Sequence, residues 1–249
     1  MGFQGEPGAY ADAAALILAP DLPREGRNTF EDVLRAVAEG EILYGVIPVE
    51  NVLAGPVTGQ AERFWRSGTH IAADVWLPVR HVLAGPRGAR PDTVRRVLSH
   101  QQALWQCAPY LTRHAFSADL APNTATAARV VAEAGDVTRA ALCSPAAAEQ
   151  YGLVILDRNV APPGNETRFW LLSRRPAGSG VGPVHLTGVV WTPHPGTLRV
   201  ALEKLRAAGA DLERVWPLSD AHVLLEARAP AAPPHADGFD VYARKTAPS

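Results

Sequence analysis

Between Arg96 and Asp157 the sequence changes its hydrophobic period repeatedly over short distances. Apolar runs at Arg96–Ser99, near Ala115, at Ala140–Cys143 and at Val154–Asp157 alternate with helical runs at Gln101–Leu111, Thr124–Ala134 and Pro145–Tyr151. Strands alternating with helices predict an α/β architecture with a mainly parallel sheet and helices on both faces. The upstream part repeats the theme. Met1–Gly5 reads as a short strand, followed by a glycine turn and an Ala-rich helix from about Ala9. Gly2, Gly5 and Gly8 lack the spacing of a dinucleotide or Walker loop, so they read as a tight strand-to-helix turn. Thr29 and Asp32 make a capping-box pattern that opens a helix stopping at Gly40, and a strand over Ile42–Val49 then delivers Glu50 and Asn51. Beyond a helix around Gln60–Ser67, the extended stretch from Ile71 to Gly85 is long enough to cross between two lobes.

Composition excludes several function classes. The 249 residues are 47% hydrophobic, enough for a substantial core, and the formal net charge of -1 leaves no basic footprint for nucleic acid or membrane. Cys107 and Cys143 cannot build a disulfide framework and lie outside any metal-ligand spacing. They read as small apolar core residues. With neither a basic, cleavable leader nor a membrane-length apolar run, the expected location is cytoplasmic.

Two stretches share one design. Gly164-Asn165-Glu166-Thr167-Arg168-Phe169 runs from a turn into an apolar strand, and Gly45–Val49 brings Glu50 and Asn51 to a strand end. A guanidinium, a hydroxyl and amides at strand ends form a compact kit for gripping an anion and handing it a proton. Further pieces accompany them in order: Gly5-Glu6-Pro7-Gly8-Ala9-Tyr10, Pro48-Val49-Glu50-Asn51, Leu98-Ser99-His100-Gln101-Gln102-Ala103-Leu104 through Gln106-Cys107, Asn123-Thr124-Ala125, and Tyr151-Gly152-Leu153. In this order the chain resembles the prephenate dehydratase family, which includes the arogenate dehydratases.

The resemblance implies a two-lobed, periplasmic-binding-protein-like catalytic domain with a central cleft over residues 1–176. Lobe one would comprise about 1–75 and 155–176, and lobe two about 76–154. It implies conversion of prephenate to phenylpyruvate, with loss of carbon dioxide and water, in L-phenylalanine biosynthesis, without a metal or organic cofactor. By the same resemblance Thr167 serves the departing hydroxyl, Arg168 anchors the substrate or the cleft wall, and Glu50 and Asn51 place hydrogen bonds around the reacting ring. Ser99 and Gln106 are cleft polars of the opposite lobe. Tyr10, Thr124, Asn165 and Phe169 contact substrate. His100, at a strand-to-helix junction, reads as a structural hydrogen-bonding residue. Val52 and Ala11 stand where the family carries hydroxyls, removing hydrogen-bonding capacity from the expected cleft.

The remainder departs further from the family. Pro176–Pro183 is a linker signal, and β-α-β-β order follows: Val184–Trp191, Gly196–Ala208, Leu212–Pro217, His222–Ala227. This resembles a shortened ACT regulatory domain over 183–246, a small α+β ferredoxin-like unit, with Gly196, Thr197 and Leu198 at its effector turn. Three prolines rule out a second helix over 229–238, and a strand at Phe239–Ala243 would close the sheet. The Trp216-Pro217-Leu218-Ser219 segment lacks the family's charged run. A sheet face left bare predicts a homodimer, and the altered Trp216–Ser219 segment predicts weak or absent inhibition by phenylalanine. Alternative activities are arogenate dehydration, decarboxylation of prephenate without aromatisation, and sensing of a small acid or amino acid without turnover. Retention of Thr167 argues against the last two.

Overall fold

The computed structural model describes residues 1–177, 184–192, 194–218, 221–231 and 239–246. Its first element, β1 (Gly2–Gln4), leads through a glycine turn into α1 (Tyr10–Leu18). The turn needs its glycines. Gly8 has φ +84°, and a Cβ there would lie 2.6 Å from the Ala147 Cα, so only glycine lets the start of α1 sit against the opposite lobe. Ser144 secures this approach by donating from Oγ to the Gly8 carbonyl at 2.6 Å.

After β2 (Glu25–Arg27) comes α2 (Phe30–Glu39), capped as its sequence predicts. The Asp32 amide donates to Thr29 Oγ at 3.0 Å, the Thr29 amide donates back to Asp32, and Gly40 ends the helix at φ +80°. Next are β3 (Tyr44–Asn51), β4 (Gly55–Pro56), α3 (Gln60–Ser67) and β5 (His70–Pro78).

The second sheet is built from β6 (Val82–Gly85), β7 (Arg96–Ser99), β8 (Ser117–Leu120), β9 (Arg139–Cys143) and β10 (Val154–Asp157), in the order β10-β6-β9-β7-β8. Its helices are α4 (Gln101–Gln106), α5 (Ala108–Arg113), α6 (Thr124–Ala134) and α7 (Pro145–Gln150). The chain then returns as β11 (Glu166–Ser173), inserted between β3 and β5 of the first sheet.

Three expectations are corrected. The sheets are mixed rather than mainly parallel, and a traversing strand in each contributes to this. β6, continuing the crossing from β5, is antiparallel to both neighbours, and so is the returning β11. The helix expected over Gln101–Leu111 is broken at Cys107 (φ -97°, ψ 8°), because Pro109 has no N–H to continue the ladder and instead occupies the first turn of α5. The strand expected near Ala115 begins at Ser117, after a turn in which Ala115 takes φ +54°.

The C-terminal segment supplies β12 (Val184–Trp191), α8 (Pro195–Ala207), β13 (Asp211–Pro217), β14 (His222–Ala229) and β15 (Phe239–Thr246). The order is β13-β14-β12-β15, antiparallel throughout. β15 runs past the expected end and pairs in parallel with β5, Ala243 opposite Ala73, so the segment and the first sheet form one continuous ten-stranded sheet among the described residues. Most of the expected linker, Ser219 and residues 232–238 lie outside the described residues.

Alternation along β11 divides the core. Phe169 and Leu171 pack with α1 and Val46, whereas Trp170 and Leu172 pack on the other face with Val33, Phe64, Trp216, Leu224 and Tyr242. Trp170 is wholly buried there, meeting Phe64 edge-on at 5.1 Å. The C-terminal segment therefore contributes directly to the core behind β11. Among the described residues no helix is long and apolar enough to cross a membrane.

Candidate active site

β3 and β11 pair so that Thr167 stands opposite Asn51 and Arg168 opposite Glu50. Side chains alternate across a strand, so these two pairs must face opposite ways. Asn51 and Thr167 turn toward the space between the two sheets. Glu50 and Arg168 turn toward the C-terminal segment.

On the cavity side, Asn51 is the centre of a buried amide cluster. Its Nδ2 lies 2.9 Å from Thr167 Oγ, 2.7 Å from Asn165 Oδ1 and 3.0 Å from the Glu166 carbonyl. Its Oδ1 accepts from the Leu53 and Ala54 amides at 3.1 and 3.0 Å and from Gln106 Nε2 at 3.3 Å. Asn165 Nδ2 completes the circuit by donating to Gln106 Oε1 at 3.0 Å. Gln106 comes from α4, so three amides lock the second sheet's helix to the strand ends of the first. A chemical consequence follows for Thr167. Its oxygen accepts from Asn51, which leaves its own proton free to be donated into the cavity.

That cavity has a volume of about 350 Å³, and Tyr10, Asn51, Gln106, Thr124, Thr167 and Phe169 from the sequence reading all line it. The volume suits a small ligand. Among the described residues its wall carries no Lys, Arg, Asp or Glu. Instead, the first residues of α1 (Tyr10, Ala11) and α6 (Thr124) reach it, and the N-cap of α1, Ala9, makes no side-chain cap bond. Unsatisfied first-turn N–H groups and the positive helix end are suited to carboxylates.

Four residues of the sequence reading stand elsewhere. Ser99 is fully buried and donates to the Leu142 carbonyl at 2.6 Å, a bond within the second sheet. Asn165 acts behind the wall through Asn51 and Gln106. Glu50 is ion-paired with Arg214. Arg168, expected to anchor substrate, is only 4% exposed in its side chain and points away from the cavity. Its Nε lies 2.6 Å from Asp74 Oδ2, its Nη1 2.8 Å from Glu226 Oε1, and its Nη2 3.2 Å from the Tyr242 hydroxyl. Glu226 Oε2 accepts from Trp216 Nε1 at 2.7 Å, and the Tyr242 hydroxyl meets Thr187 Oγ at 3.0 Å. Burial opposes the Arg168 charge, but Tyr242, Glu226 and Asp74 outweigh it and raise the pKa, so the guanidinium stays protonated.

His81 is the cavity residue that the sequence reading missed. It is buried, with Nδ1 3.4 Å from the Tyr10 hydroxyl and its ring edge-on to Tyr10 at 5.5 Å. Burial pushes its pKa down to about 4 despite a hydrogen bond with Gln106, so the imidazole is neutral near pH 7. A lone histidine in an apolar crossing has no local spacing to mark it. His100 also lines the cavity, and its Nδ1 accepts from the Gln102 amide at 3.2 Å, capping α4 as the structural reading expected. Val52 is 54% exposed and does not line the cavity, so its missing hydroxyl leaves no buried partner unsatisfied. Ala11 does line it. Gly196, Thr197 and Leu198 fall in the first turn of α8, where Thr197 Oγ lies 3.3 Å from His194 Nδ1.

Two mixed sheets joined by reciprocal crossings, with an amide-walled cavity where they meet, define a two-lobed α/β protein built around a cleft. Comparison with known proteins narrows this class. The family model for prephenate dehydratase matches residues 1–177, and the chain belongs to the prephenate dehydratase family. It is 34% identical over 218 residues to the chloroplastic arogenate dehydratase/prephenate dehydratase 1 of Arabidopsis thaliana, covering 86% of this chain and 56% of that one. The chain thus spans little more than half the length of such plant relatives. A bifunctional N-acyl-homoserine lactone acylase/prephenate dehydratase of Komagataeibacter europaeus is 34% identical over 219 residues, 86% of this chain and 78% of the relative. Among solved structures, the prephenate dehydratase of Arthrobacter aurescens in complex with L-Phe superposes with TM-score 0.83 at 25% identity, covering 98% of this chain and 89% of that one.

Proposed function

We propose that this chain converts prephenate to phenylpyruvate, carbon dioxide and water, a step of L-phenylalanine biosynthesis. The observation that carries the reading is the Thr167 hydroxyl, 2.9 Å from Asn51 Nδ2 and therefore left with a proton to donate into the cavity. The bond from the ring to its carboxylate breaks and its electron pair enters the ring. The carbon–oxygen bond across the ring breaks in concert, and the hydroxyl leaves with one added proton as water. Aromatisation supplies the driving force, so the protein's tasks are positioning, proton delivery and exclusion of bulk water. Threonine is a weak acid. Its role is to pass a strong hydrogen bond to the leaving oxygen, strengthened by the bond it accepts from Asn51, while the net proton comes from solvent. First-turn N–H groups of α1 and α6 hold the two carboxylates. The uncharged wall favours prephenate over arogenate, since no Asp or Glu among the described residues is there to pair with an amino group.

A second reading, hydrolysis of an N-acyl-homoserine lactone as in the name of the Komagataeibacter relative, is favoured by one observation. A hollow of about 420 Å³, with Leu53, Ala54 and the exposed Trp105 on one side and His100, Gln101 and Gln102 on the other, adjoins the cavity through His100 and Gln102 and has an apolar side for an acyl chain. Incubating the purified protein with prephenate, arogenate or an acyl-homoserine lactone and identifying products separates these readings from simple decarboxylation and from binding without turnover. Phenylpyruvate from prephenate is expected. Untouched prephenate overturns the main reading.

The organisation follows the same reading: a catalytic domain over 1–176 with lobes at about 1–75 with 155–176 and 76–154, and a shortened ACT-like domain over 183–246. Supporting the latter is the strand order β13-β14-β12-β15, with α8 between the first two strands in sequence. We expect a homodimer through this domain with weak or absent phenylalanine inhibition, although the Arthrobacter relative forms a complex with L-Phe. Titrating phenylalanine while following activity and sedimentation tests both halves: inhibition at low concentration defeats the first, a monomer the second. Burial pushes the pKa of both cysteine thiols up to about 12 and leaves them unreactive, and a cytoplasmic location stays the expectation.

A further inference from the structure

We propose that Glu226 and Tyr242 of the C-terminal segment are positioning residues for the reaction, holding Thr167 in place through Arg168. The inference rests on the dehydratase reading above. Its starting point is a defect in the ladder. The register between β11 and β3 shifts between Arg168 and Phe169, where Arg168 stands opposite Glu50 but Phe169 opposite Pro48. The bulge interrupts the ladder on the far side of Arg168, so backbone pairing holds the Thr167–Arg168 end of the strand from one side only. A second constraint is supplied from behind. Arg168 is gripped from three strands at once, by Asp74 on β5, Glu226 on β14 and Tyr242 on β15. Glu50, the immediate neighbour of Asn51, is likewise paired with Arg214 on β13. Both residues that aim the hydroxyl therefore have their chain neighbours fixed by the C-terminal segment.

An ionic cluster this deeply buried is a poor source of stability, because desolvation offsets most of the attraction. What it provides is geometry: a planar fork matched to two carboxylates and a phenol admits one placement, whereas an apolar side chain would admit several. Misplacement of a catalytic group by about 1 Å costs on the order of a hundredfold in rate.

The test is a double-mutant cycle on the full chain with prephenate. Glu226→Gln should lower kcat by roughly tenfold or more with KM within about threefold, assayed well below its melting temperature. In a Thr167→Ala background, read with enzyme in excess over substrate, the same change should lower the rate less than about twofold, because its effect passes through the missing hydroxyl. Equal losses in both backgrounds, or no loss in either, overturn the inference. Tyr242→Phe keeps the ring and should give a smaller drop with the same non-additivity, which keeps the test readable if Glu226→Gln fails to fold. Absence of wild-type turnover overturns the dehydratase reading and this inference with it, whereas turnover indifferent to these residues overturns the inference alone.

Discussion

The two faces of the β3–β11 pair differ completely within one residue. On the front, Asn51 and Thr167 meet through a neutral hydrogen bond at the wall of a cavity without charged side chains among the described residues. On the back, Glu50 and Arg168 are ion-paired to Arg214, Asp74 and Glu226, deep in the contact with the C-terminal segment. Neighbours in a motif need not share a task. The strand's period of two turns Thr167 to the cavity and Arg168 to the ionic cluster, and the low dielectric behind the sheet makes the charged face the costlier one to disturb.

The largest effect should come from the back face. Arg168→Met leaves two buried carboxylates without their cation and should destabilise the fold by about 3–5 kcal/mol, read as a lowered urea midpoint. Replacing Arg168, Asp74 and Glu226 together with apolar residues should recover much of that loss. If Arg168→Met instead unfolds like wild type, the contrast between the faces fails.

The front face should resist added charge. His81 has a folded pKa of about 4 against an ordinary value of 6.5, so the unfolded chain binds more protons between those values. Stability therefore falls as pH drops from about 6.5 to 4, by on the order of 2–3 kcal/mol from this group. His81→Gln should remove that share of the slope in urea midpoints measured at pH 7, 5.5 and 4.5; an unchanged slope would place the cause elsewhere.

The smallest effect is expected at Val52, exposed and outside the cavity wall. Val52→Ser should change stability by no more than about 0.5 kcal/mol, and catalytic efficiency hardly at all. A large change in turnover would mean that this loop closes over the ligand.

The features legible in the sequence were those with local signals. The Thr29 capping box, the Thr124–Ala134 bounds of α6, and the strand bounds of β7 and β10 agree with the structure because caps and periods are properties of a few adjacent residues. The gathering of Asn51, Gln106 and Thr167 has no local signal and was expected only through the family resemblance of their ordered motifs. Alternation alone turns Arg168 and Glu50 away from Thr167 and Asn51, but the partners they meet there, Asp74, Glu226, Tyr242 and Arg214, lie on other strands and were not legible, and a bulge beside Arg168 leaves no sequence trace. The parallel pairing of β15 with β5 joins residues about 170 positions apart, Ala243 with Ala73, and neither strand carries a mark of the other. His81 was hidden for a related reason: burial and its neighbours, not spacing, give it its character.

Thr167→Ala tests the central claim most directly, with kcat, KM and the urea midpoint measured on one preparation. The front-face assignment predicts a fall in kcat of more than about tenfold, the scale of a lost catalytic hydrogen bond, with KM little changed and stability within about 1 kcal/mol of wild type. Wild-type kcat in the folded variant would contradict it and remove Thr167 from the mechanism.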